Sequence, residues 1–436
     1  MASVTISWLL GSLLFFVTFA RELKVVEGSL QHFHGKQFGS FIPMVEIGLG
    51  GDGKQKILGQ LDTGSADLVL AQKNSAACEK QQQDCQDVPK GAGSFDPDRA
   101  PGTTKLDIPF NASFVSGESF TGQFIKTGVQ IGDKITQNVQ LGLYSEAQQP
   151  EDTPMFPIFG TGPIGGTAAK VPYPNVPEQM KLANMTNANA YGVYMNDFRG
   201  TNGQVVFGGY DTAKFQGQLQ EAPVVQNSAR NGDLVIDFSS LNLVPGADSS
   251  ARLANASATM QQKVDLSGGK PLPPAFLDTG SPSVILPKEM VQNLARTLGA
   301  NFSDDQGMGP VDCGLARSDA VMEFGFNKDS IKIRLPLEMM LEPKAKTGSD
   351  DCMLAVLPSD GPDKDIATLG AAMMQAAYIV FDIDQKRLLM AQAKPNVTES
   401  AIKELPPVER GGTRNPQSAK TGRKGAEGLQ GSSDKK

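Results

Sequence analysis

From Phe41 onward the chain reads as short apolar runs broken by turns rich in glycine and proline, a pattern of strands and hairpins more than of amphipathic helices. In "FIPMVEIGLGGDGKQKILGQLDTGS" two such runs flank a glycine-rich turn, which predicts a hairpin whose second strand ends at Asp62. Further strands are predicted in "KLDIPFNASFV", "ESFTGQFIKTGVQIG" and "ITQNVQLGLY", and "QVVFGGYD" closes the first half. A helix is expected around "VPYPNVPEQMKLAN", with Pro177 near its first turn and Glu178 suited to its positive end. The second half repeats the scheme. Strands are predicted in "DLVIDFSSLNLV" and "PAFLDTGSPSVIL", a helix in "KEMVQNLARTLGA", then strands in "KIRLPLEMML" and "AYIVFDIDQKRLLMAQA". Between Gly217 and Asn231 the alternation relaxes into polar residues, the natural place for a boundary.

The two ends have a different texture. Residues 1–20 hold an apolar run from Trp8 to Phe19 followed by small Ala20 and charged "RELK", which fits a signal peptide better than a membrane span. Residues 21–37 are a short polar stretch, read as a pro-segment or an N-terminal extension. Two units then follow, 38–222 and 223–394, and a polar tail, 395–436, expected to be disordered. A length of 436 residues agrees, since it exceeds what one hydrophobic core usually serves. The tail has no apolar end, so no lipid or membrane anchor is expected.

The net charge of −7, without a basic stripe in the folded part, argues against a nucleic-acid partner. Only two histidines, His32 and His34, are present, and both precede the two units. A Ser-His-Asp triad, a Cys-His pair or a histidine-based metal site is thereby nearly excluded, which leaves carboxylates. Neither a metal nor another cofactor is expected. Four cysteines allow three pairings; Cys78 with Cys85 and Cys313 with Cys352 is the one compatible with separate units, buried free thiols being the alternative. Asn-x-Ser/Thr sequons begin at Asn111, Asn184, Asn255, Asn301 and Asn396, candidate glycosylation sites on a secreted chain.

Against this background one repetition stands out. "LDTGSADLVL" from Leu61 and "LDTGSPSVIL" from Leu277 align without a gap, their aspartates 216 residues apart (278 − 62). A single Asp-Thr-Gly is an ordinary turn. Two copies, each after an apolar strand, can meet across a pseudo-twofold axis with Asp62 and Asp278 in contact. Carboxylates that close cannot both ionise, so they hold one proton between them and titrate as a pair. One can then act as general base toward a water while the other donates to a substrate carbonyl. Gly64 and Gly280 permit the tight turn; Thr63 and Thr279 can hydrogen-bond across the interface; Ser65 and Ser281 can donate to the outer carboxylate oxygens.

These motifs resemble the pepsin family of two-lobed aspartic proteases over roughly Phe41 to Ala393. The likeness extends to the Cys78–Cys85 loop, "SFTGQFIKTGVQIG", "PIFGTG", "ATLGAAMM", "VVFGGYDTAKFQGQL" and the Cys313–Cys352 pair, and the chain is similar to secreted fungal members such as candidapepsins and yapsins. The resemblance implies a mostly β, bilobal fold with the cleft between the lobes. It also implies a monomeric secreted endopeptidase, free or held in a cell wall, acting on polypeptides at acid pH and bound by pepstatin-type inhibitors. It makes Ser116, Gly117, Glu118 and Ser119 the tip of a substrate-binding flap. Two departures run against it. The flap tyrosine of the family is replaced by Phe114 or Val115 and its tryptophan partner by Val69, and the stretch before Phe41 is short for the family's pro-segment: either Lys24 or Lys36 serves as its lysine, or the pro-segment is shortened or absent. The first departure motivates a second reading, a pepsin-fold binding or inhibitor protein with weak or no catalysis.

Overall fold

The computed structural model describes residues 21–407, apart from 34–40, 80–84, 115–116, 149–154, 201, 226–231, 247–262, 344–350 and 360–364. The expected signal peptide, Lys36, Ser116, the Asn255 sequon and the tail beyond 407 lie outside the described residues.

The duplicated motif is the visible part of a duplicated sheet. In the first half, the strand Gln55–Asp62 runs parallel to Ile158–Gly160; that strand lies antiparallel to Leu68–Ala71, which is parallel to Lys134–Gln148. The second half repeats the series. There, Ala275–Asp278 is parallel to Ala367–Gly370, which is antiparallel to Val284–Pro287, itself parallel to Val356–Ser359. Asp62 pairs with Gly160 and Asp278 with Gly370, so the two aspartates end topologically equivalent strands. The fold is mostly β and bilobal.

The predicted helices form for legible reasons. Asn175 caps the helix Val176–Leu182 by accepting from the Glu178 amide at 3.4 Å, and Pro177 sits in its first turn. The helix Lys288–Leu298 buries Met290, Val291, Leu294, Ala295 and Leu298 along one face, and Gly299 ends it in the left-handed conformation at φ 72°. The run "KIRLPLEMML" is only partly a strand. Extended pairing stops at Pro336, which has no N–H for a ladder, and Leu337–Met340 turns into a short 3₁₀ helix with Leu337, Met339 and Met340 buried.

The lobes are not cut cleanly where composition suggested. Ala377–Asp382 and Arg387–Gln392, late in the chain, form a hairpin that pairs with Ala190–Tyr194 of the first half and extends its sheet. Gln220–Pro223 pairs with the outer edge of that hairpin, so the expected boundary at 222/223 falls inside a strand. The polar stretch 21–37 contributes Val26–Phe33, which lies between Gly203–Phe207 and Ile42–Leu49 in the same sheet. Gly28 is close-packed there: an added Cβ would lie 3.0 Å from both Ile131 and Val205.

Residues 395–407 overturn the expectation that disorder begins at 395. Their composition is polar because they are held largely by hydrogen bonds. The Lys214 ammonium donates to the Val397 carbonyl at 2.9 Å, and the Ser400 hydroxyl and Ala401 amide donate to the buried Asp211 carboxylate at 2.7 and 2.8 Å. Ile402–Glu404 pairs with Gly209–Asp211, and Leu405 enters an apolar cluster with Tyr194, Phe215 and Tyr378. Leu405→Ala should therefore destabilise the protein by about 2–3 kcal/mol, whereas Leu182→Ala on an exposed helix end should stay within about 0.5 kcal/mol. Urea unfolding of both variants checks this, and equal small effects would show that the strap is not anchored.

Candidate active site

The two Asp-Thr-Gly-Ser turns meet face to face, and the contact begins with the threonines. The Thr63 hydroxyl donates to the Leu277 carbonyl at 2.9 Å while accepting from the Thr279 amide at 3.1 Å. The Thr279 hydroxyl donates to the Leu61 carbonyl at 2.6 Å while accepting from the Thr63 amide at 3.0 Å. Both threonines are buried, so each hydroxyl is fully engaged with the opposite lobe.

This grip sets the carboxylates. Gly64 donates its amide to Asp62 Oδ1 at 2.8 Å, and Gly280 donates to Asp278 Oδ1 at 2.9 Å. Each glycine also lies against the other lobe's acid. A Cβ added to Gly64 would stand 2.5 Å from Asp278 Oδ1, and one added to Gly280 would stand 2.5 Å from Asp62 Oδ1. No side chain larger than hydrogen fits either position. Behind the loops, the Thr161 amide donates to the Asp62 carbonyl at 2.9 Å and the Ala371 amide to the Ser281 carbonyl at 2.8 Å.

The symmetry fails at the serines. The Ser65 hydroxyl donates to Asp62 Oδ2. The Ser281 hydroxyl, expected to do the same for Asp278, turns instead to the Ser283 carbonyl at 3.3 Å.

The eukaryotic aspartyl protease family model matches residues 43–393. The chain belongs to the eukaryotic aspartyl protease family. It is 26% identical over 363 residues to the probable aspartic-type endopeptidase opsB of Aspergillus oryzae, covering 81% of this chain and 69% of that protein. It is 25% identical over 352 residues to secreted aspartic protease 4 of Candida albicans, covering 79% of this chain and 75% of that one. Among solved structures, the aspartic proteinase from Irpex lacteus superposes with a TM-score of 0.62 at 15% identity, over 86% of this chain and 99% of the other. This aspartyl protease is an aspartic-type endopeptidase by family, and that family implies peptide substrates.

The hairpin read as the flap joins Thr104–Ser113 to Ser119–Ile131, with Ser113 opposite Ser119. Its turn closes through the Phe114 amide on the Glu118 carbonyl at 2.9 Å and the Gly117 amide on the Phe114 carbonyl at 3.0 Å, Gly117 taking φ 96°. Beneath it, Val69 is buried with Phe110, Phe120, Phe124 and Tyr144. Phe114 packs edge-on to Phe120 with ring centroids 5.5 Å apart. Val69 and Phe114, expected at the tryptophan and tyrosine positions of the resemblance, thus both sit in apolar surroundings; Val115, the other candidate, lies outside the described residues. Replacing both partners together leaves no polar orphan there.

The cysteines form the two bridges Cys78–Cys85 and Cys313–Cys352. The sequon residues Asn111, Asn184, Asn301 and Asn396 are exposed. Lys24, considered above as a partner for the aspartates, sends its ammonium to Asn184 Oδ1 at 2.6 Å instead.

Sequence reasoning missed a buried acid beside the first motif. Asp67 accepts from the Ala168 amide at 2.7 Å and from the Tyr173 hydroxyl, so it anchors both ends of the 168–173 segment. The signal was a lone charge leading into "LVL". Burial pushes the Asp67 carboxyl above its ordinary range, more than its two donors pull it back. A raised folded-state value favours the neutral form, so the contribution to stability is complete below the unfolded value near 3.9 and is lost as pH rises through the folded value. Relative to Asp67→Asn, the native protein should be most favoured near pH 3 and lose ground steadily toward pH 7. Denaturant midpoints for the pair across that range measure it; a constant difference would contradict the burial argument.

Proposed function

We propose that this protein is a secreted aspartic endopeptidase that hydrolyses peptide bonds at acid pH, with Asp62 and Asp278 acting on a water between them. The observation that carries this reading is the reciprocal packing of Gly64 and Gly280 on the opposing carboxylates, which leaves two acids facing one site.

The chemistry follows from one shared proton. The ionised carboxylate takes a proton from the water as its oxygen bonds to the peptide carbon, while the neutral carboxyl gives its proton to the carbonyl oxygen. The resulting diol then collapses. Its C–N bond breaks as the nitrogen takes the proton held by the first carboxyl, and a hydroxyl proton returns to the second. The products are an acid and an amine, and the pair regains its starting state. Backbone amides from Gly64 and Gly280, already aimed at the inner oxygens, hold both carboxyls in place throughout.

Residues 21–37 stay in the mature enzyme on this reading, because removing Val26–Phe33 would take an interior strand from the large sheet. Secretion is supported by the apolar run at residues 8–19, the exposed sequons and the secreted Candida relative. Monomeric action and pepstatin binding belong to the same proposal. The altered flap favours a second reading, a pepsin-fold binding protein with little turnover.

Casein digestion from about pH 2.5 to pH 7, with and without pepstatin, separates the two readings. We expect pepstatin-sensitive cleavage on the acid side, loss of at least about a thousandfold in Asp62→Asn and in Asp278→Asn, and folded variants. The purified enzyme should begin near Arg21 and give no tryptophan emission, since Trp8 is the chain's one tryptophan. A folded, correctly processed protein without cleavage would establish the binding reading, and activity that is flat through pH 8 or retained in both variants would overturn the paired-aspartate mechanism.

A further inference from the structure

Beyond the paired threonines, the lobes are joined beside the active site by a contact with no symmetry mate. The Gln60 side-chain amide donates through Nε2 to the Gly280 carbonyl at 2.9 Å. A carbonyl only accepts, so the NH₂ end of Gln60 must face it. Gln60 stands two residues before Asp62 on the same strand, and alternation along a strand puts both side chains on one face. The residue two before Asp278 is Phe276, an apolar side chain packed with Val235 and Ile366. Only the first lobe therefore reaches over to hold the other lobe's loop by this route.

The residue it holds has two tasks. Gly280 gives its amide to Asp278 Oδ1, and its Cα forms the wall against Asp62. Fixing the Gly280 carbonyl restrains the peptide that follows it and so the whole turn from Asp278 to Ser281. In that turn the Ser281 hydroxyl faces the Ser283 carbonyl and the Ser281 amide reaches the Asp278 carbonyl only at 3.2 Å. We infer that Gln60 is a positioning residue for the second aspartate, supplying from the first lobe an orientation that Ser281 does not. The inference rests on the proposed role of Asp62 and Asp278 in peptide hydrolysis.

The test compares Gln60→Leu with Gln60→Glu in the full chain, using a peptide substrate across about pH 3 to pH 6. Leucine fills a similar volume and cannot donate. Its kcat should fall about tenfold with KM changed by less than about twofold, as expected when a reacting group is misplaced without loss of substrate contacts. Glutamate donates only while protonated. Gln60→Glu should thus approach the native rate near pH 3 and fall to the leucine level or below by pH 6, a narrowing that a structural defect alone would not produce. Hydrogen exchange of the peptide spanning 278–282 gives a second readout, with faster exchange expected in Gln60→Leu than in the native protein. Native kcat in Gln60→Leu, or a Gln60→Glu profile parallel to the native one, overturns the positioning role. If the native chain itself cleaves nothing, the proposed function fails, and unchanged exchange at 278–282 would then separately refute the tie.

Discussion

Everything near the active site depends on two buried threonine hydroxyls that cross between the lobes. Thr63 and Thr279 each donate to a strand carbonyl of the other lobe and accept an amide from the other threonine. Each such bond is worth only about 0.5–1.5 kcal/mol net, so their importance is geometric. They set the separation of two loops whose glycines leave no room for error against the facing carboxylates. Two lobes joined loosely would present two ordinary acids; joined here, they present one site.

The duplicated sheet explains how a chain of this length delivers that geometry twice. An aspartate at the end of a strand, a parallel brace beside it ending in glycine, and a further strand antiparallel to the brace on its other side recur in the same order in both halves. The copies differ where the surroundings differ. Ser65 reaches its aspartate and Ser281 does not; Gln60 reaches across and Phe276 does not. In the same spirit, Val69 and Phe114 beside the hairpin Thr104–Ser113 and Ser119–Ile131 pack among aromatic rings.

What could be read in the sequence was local. The strands around both motifs, the two helices, and the equivalence of the two aspartates all follow from spacing and turn chemistry within about a dozen residues. What could not be read was pairing at a distance. Nothing in "RELKVVEGSLQHF" says that Val26–Phe33 lies inside a sheet, because its partners are set by chain topology as much as by its own alternation. The strap at 395–407 was hidden by polarity: Asp211 and Tyr194 satisfy it through hydrogen bonds, and only Leu405 carries an apolar signal. Asp67 was passed over for the converse reason, a charge in a run whose burial depends on Tyr173, 106 residues away.

The most direct measurement of the central claim is a double-mutant cycle on the grip, comparing Thr63→Val, Thr279→Val and the double variant by kcat/KM at the acid optimum. If the two hydroxyls act as one unit, either single change should cost at least about tenfold and the double variant should be little worse than the poorer single, a coupling well outside additivity. Single variants with near-native kcat/KM, or losses that simply multiply in the double variant, would contradict the account.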